Sequence, residues 1–139
     1  DYSGAILLLQ KTLDSGNHIS AATKHLTTTL KLSIVILTTK REDGKTFYTT
    51  IDDTYRRYIQ EMSNSVCLRT YILIQGVLEG NKEETEYALS KANKLLKRAP
   101  EYALKVEENL FNLGLERINT LHPTWELSLN KKEGETNGK

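Results

Sequence analysis

The sequence predicts a mainly α (α+β) domain: a bundle of four to five helices with one inserted β-hairpin. Three observations predict it. Helical spacing of apolar residues recurs along most of the 139 residues, a single Asp43-Gly44 pair separates two alternating runs, and helix-capping residues punctuate the rest. Before Asp43-Gly44, Leu26, Leu30, Leu32, Ile34 and Ile36 fall on alternate positions, and after it Phe47, Thr49 and Ile51 do so. An Asp-Gly pair flanked in this way is the strongest short-range hairpin signal.

In order along the chain, Leu7, Leu8, Leu9 and Leu13 make a short apolar helix that ends at the turn Asp14-Ser15-Gly16-Asn17. Ile19, Ala22, Leu26 and Leu30 keep helical spacing, so a helix is expected from about Ser20 to Thr28. Strands follow at 31–39 and 45–51, placing the hairpin at about 31–51. Asp52, Asp53 and Thr54 suit a helix start, and the next helix is expected from Thr54 to about Leu78. Gly76 and Gly80 read as helix-end glycines.

Asn81 with Glu84 three residues on resembles a capping box. Glu83, Glu84 and Glu86 open that helix, and Lys94, Lys97 and Arg98 close it, as its dipole favours. Ala88, Leu89, Ala92, Leu95 and Leu96 form its apolar stripe. Pro100 ends it and opens a last helix, which carries Ala103, Val106, Leu110, Leu113 and Leu121 inward and stops before Pro123. Trp125, Leu127 and Leu129 suggest a short extended strap. Residues 1–129 thus form one domain, and 130–139 a solvated tail. Gly80, Glu84, Ala92 and Leu95 resemble the second half of a tetratricopeptide repeat. Thr85 replaces its small Ala and Pro100 comes three residues late, so the stretch reads as a generic helical hairpin.

Composition narrows the function classes. Apolar residues make up 38% and charged residues 27%, and the net charge is +1. This argues against a wholesale polyanion binder and leaves room for a local basic patch. One cysteine, Cys67, forbids an internal disulfide and reads as a buried thiol. No apolar run approaches the ~18 residues of a membrane span, and Asp1–Leu13 lacks the basic start of a secretion signal. The expectation is an intracellular, cytoplasmic protein with no membrane partner and no cofactor.

No catalytic or metal motif is visible. His18 and His25, seven apart, would share a helix face without a third ligand. Asp52 and Asp53 are accounted for as caps, and His122 by the helix end before Pro123. The best functional candidate surrounds the hairpin. Lys40, Arg41 and Lys45 lie at its tip, Arg56 and Arg57 open the following helix, and Tyr48, Tyr55 and Tyr58 are interleaved with them. Such a set can contact phosphates and stack on bases. The plain alternative is a charged, soluble hairpin tip.

The expected function is therefore a non-catalytic binding or assembly subunit of a larger complex, with protein partners. Nucleic-acid phosphates would be contacted through Lys40, Arg41, Lys45, Tyr48, Arg56 and Arg57. The alternative is a protein-protein adaptor using a groove of the helical hairpin from Asn81 to Leu121. A small enzyme assembled from His18, His25, Asp52 and Cys67 is the third possibility.

Overall fold

The computed structural model describes residues 2–14, 19–96 and 101–127, with side chains described at 4–14, 19–94, 109 and 111–127. Seven α-helices run in order among them: α1 (Tyr2–Asp14), α2 (Ala21–Thr38), α3 (Arg41–Thr50), α4 (Asp53–Gln60), α5 (Ser65–Leu73), α6 (Lys82–Leu96) and α7 (Glu101–Leu121). A π-helical segment, Ile74–Glu79, continues α5 without a break. No strand occurs among the described residues.

The expected hairpin at 31–51 is therefore corrected to the end of α2 and the whole of α3. The alternation misled because α2 is buried on more than one side. Thr29, Leu32, Ser33 and Ile36 form a helical stripe, and Thr27, Thr28 and Ile34 are buried beside it. A short apolar run within a helix buried on several sides cannot be told from a strand by periodicity alone. Its β-branched threonines are accommodated by back-bonding. The hydroxyls of Thr27, Thr29 and Thr38 each donate to the carbonyl four residues earlier, at 2.7 Å. Asp43 sits in the first turn of α3, where its charge favours the helix. Gly44 lies against the core, where an added Cβ would stand 3.4 Å from Leu78 and 3.5 Å from Ile36. Those are ordinary van der Waals distances, so the position requires glycine neither for a turn nor for space.

The helix expected from Thr54 to Leu78 is two helices. Asp52 caps α4 as expected, accepting the Thr54 amide at 2.7 Å. The chain then breaks at Met62, whose φ is 49°. It restarts at Asn64, whose Oδ1 accepts the Cys67 amide at 2.9 Å. Ser20 caps α2 in the same way through the Thr23 amide. Asn81 accepts the Glu84 amide at 3.1 Å, but Glu84 bonds Tyr71 instead of closing the box.

Helix α5 and its π continuation form the centre, packed by α2, α4, α6 and α7. Leu68, Ile72, Leu73, Ile74, Val77 and Leu78 all lie in the core. At the α2–α5 crossing, the Ser33 and Thr70 hydroxyls bond each other, which satisfies polar groups that burial would otherwise strand. Gly76 is corrected from helix end to helix interior. It is buried in the π segment against Ile118, and Gly114 of α7 likewise faces Leu73. Gly80 does end the segment, with φ 66°.

Helix α7 stops before Pro123, as expected. The expected strap is a turn and an irregular segment through 127, with Leu127 buried. His122 stacks flat on Trp125, centroids 3.9 Å apart. The inward stripe of α7 is also shifted: Phe111, Gly114, Leu115 and Ile118 are buried, while Leu113 and Leu121 are exposed. The expectations for Lys97, Arg98, Pro100, Leu129 and the tail fall outside the described residues, and those for Leu95, Leu96, Ala103, Val106 and Leu110 outside the described side chains.

Candidate binding surfaces

The six residues proposed to meet phosphate divide into two groups. Arg41, Lys45 and Tyr48 share one face of α3 by their i, i+4, i+7 spacing, and the Arg56 guanidinium lies 5.5 Å from the Tyr48 ring centre. Lys40 stands at the α3 N-cap position, and Arg57 lies about 100° round α4 from Arg56. Two of the arginines are engaged inside the fold. Arg41 donates from Nε to the Val77 carbonyl at 3.1 Å and from Nη2 to the Leu78 carbonyl at 2.7 Å. Arg56 donates to the carbonyls of Ile51 and Thr49, at 2.9 and 3.0 Å, and approaches Asp53 at 3.7 Å.

These contacts follow from helix electrostatics. The last carbonyls of a helix lack partners and carry partial negative charge. Arg41 answers those of the π segment, Arg56 those of α3, and Arg117 that of Thr39 beyond α2, at 2.7 Å. His122 Nε2 meets the Gly76 carbonyl at 3.1 Å. Tyr48 is half-buried against the core, and burial raises its pKa against the lowering effect of Arg56. Lys40, Lys45 and Arg57 remain exposed.

Of the residues considered for catalysis, three are described, and each has a place in the fold. Asp52 is occupied as a cap. Cys67 is buried, and burial pushes its thiol pKa up. His25 packs between Tyr55 and Tyr58, with centroids at 4.6 and 4.9 Å. His18 lies outside the described residues. No group of three or more His, Cys, Asp or Glu placed to hold a metal occurs among the described residues. No helix there is long and apolar enough to cross a membrane.

Two apolar surfaces escaped the sequence reading. On α1, Ile6, Leu9 and Leu13 are half-buried, while Leu7 and Leu8 are exposed by 59% and 66%. The second is a groove of about 370 Å³ lined by Leu37, Thr38, Leu113, Glu116, Arg117, Thr120 and Leu121. It runs between α2 and α7, not within the expected hairpin of α6 and α7, because α6 packs on α5 and the π segment. The signal was present as two apolar stripes on α7, of which 111/115/118 faces the core and 113/121 does not.

No protein-family model matches the chain, and neither does any curated protein or solved structure.

Proposed function

We propose that the protein is a non-catalytic assembly subunit that holds a protein partner on apolar helix surfaces. The observation that carries this reading is the pairing of exposed large aliphatic side chains, Leu7 with Leu8 on α1 and Leu113 with Leu121 beside the groove, whereas Leu26 on α2 is exposed singly. Clustered exposed apolar side chains mark interaction sites, whereas scattered single ones do not. A photo-crosslinking residue at position 8 or 121, with position 83 on α6 as control, tests it in the native cell. Covalent protein adducts at 8 or 121 and none at 83 are expected. Adducts equal at all three positions overturn the reading.

Nucleic-acid contact is the second reading, and Lys40, Lys45 and Arg57 support it by being exposed, their side chains without a hydrogen bond or ion pair to the described residues. Arg41 and Arg56 are poor probes, since replacing them also uncaps helices. A triple Lys40→Gln, Lys45→Gln, Arg57→Gln variant is the clean one. Fluorescence anisotropy on single- and double-stranded oligonucleotides should show affinity falling with salt and a shallower slope in the variant. Identical binding by parent and variant rejects this reading.

A further inference from the structure

The α2–α7 groove carries a charge as well as leucines. Arg117 enters its lining from α7 and is anchored by Nη2 on the Thr39 carbonyl. Its Nε is buried with no hydrogen-bond partner among the described residues. No described carboxylate pairs with it. Glu116, the carboxylate of the lining, is exposed and solvated. Lys40, directly after the carbonyl that anchors Arg117, is exposed as well. The groove thus joins an apolar rim, Leu37, Leu113 and Leu121, to a partly desolvated cation whose described partner is one neutral carbonyl. A cation taken out of water without a counter-charge is costly, and an incoming carboxylate relieves that cost. A volume of about 370 Å³ lies at the small end of ligand sites, roughly 300–1,000 Å³, and suits a few aliphatic side chains better than a nucleotide.

We infer that this groove receives an amphipathic helical segment of another protein, two aliphatic side chains against Leu113 and Leu121 and an Asp or Glu carboxylate toward Arg117. The inference rests on the assembly reading above and specifies the partner's chemistry at one of its two surfaces. Helix-in-groove recognition uses anchors at i and i+3 or i+4 of the inserted helix, so the partner's two aliphatic side chains should stand at that spacing.

The test is selection of random 12-residue peptides displayed on phage against the full chain, with counter-selection on a Leu113→Asp, Leu121→Asp variant. Both leucines are exposed, and unchanged melting of the variant confirms its fold. Enriched peptides should pair Leu, Ile or Phe at i, i+3/i+4 with Asp or Glu. Labelled copies should bind the parent at least tenfold more tightly than the variant, and the preference for Glu over Lys at the acidic position should fall in Arg117→Gln. Basic or uncharged consensus peptides overturn the inference, as does equal binding to parent and variant. So does concentration-dependent self-association abolished by the double Asp variant, which would place a second copy in the groove. Peptides or crosslinks that map to Leu8 alone overturn the groove while leaving the assembly reading standing.

Discussion

Replacing Gly76 with alanine opposes two effects of known size. In an ordinary helix interior, alanine is better than glycine by roughly 0.5–1 kcal/mol. Here the new Cβ would stand 2.5 Å from Ile118 Cδ1 and 2.7 Å from its Cγ1. Carbon atoms pack at about 3.5–4.0 Å, so α7 must move out by about an ångström or Ile118 must leave its rotamer. Ile118 is fully buried, and such overpacking costs about 1–3 kcal/mol. The balance is a net loss of about 1 kcal/mol, with extremes of about 0 and 2.5. For a domain of this size the central value is a drop in Tm of roughly 3–5 °C, read by circular dichroism with urea melts in parallel. The partner change Ile118→Ala alone should cost about 2–5 kcal/mol. In the double variant the alanine methyl enters the vacated space, so the combined loss should fall short of the sum by about 1 kcal/mol or more. A Gly76→Ala protein that melts higher than the parent, or strictly additive losses, would refute the reasoning.

Three further outcomes are expected. Burial first, and the hydrogen bond to Glu84 at 2.5 Å second, push the Tyr71 pKa up to about 12. The folded state thus holds this proton more tightly than the unfolded one. Its stabilisation is complete below about pH 10, the ordinary phenol value, and is lost as pH rises toward 12. The Tm of the parent should therefore fall more steeply than that of Tyr71→Phe between those limits. Arg41→Ala should cost about 1.5–3 kcal/mol, the range for hydrogen bonds to a charged group, in urea melts, with Arg41→Lys recovering part. Asn64→Ala removes the α5 cap and should lower stability by about 0.5–2 kcal/mol; a Tm equal to the parent's would mean that the cap contributes nothing.

Much of the helical order was legible, and the reasons differ by element. Caps were the most readable, because Asp52, Asn81 and Gly80 act on neighbours two to five residues away. The Asn64 start was missed because apolar spacing continued through it at Met62 and Val66, while the break depends on a backbone turn at Met62. The hairpin misreading came from a tertiary fact, the burial of α2 on several sides, which no local pattern announces. For the candidate surface, the sequence brought the basic residues to notice but not their employment. Arg41 reaches carbonyls 36 and 37 residues away, and such long-range pairing leaves no trace in spacing. Leu113 and Leu121 looked like core for the same reason: helical periodicity gives a face but not which neighbour covers it.

The carbonyls at the end of the central helix are answered from both directions along the chain. Arg41 comes from 36 residues before Val77, and His122 from 46 residues after Gly76. The last turn of that helix therefore closes only when α3 and the segment beyond α7 are both docked. In hydrogen exchange, the amides of residues 77–81 should behave as one opening unit with those of α3 and the 122–127 segment. A nick within 122–127 would then register as protection lost in the middle of the molecule.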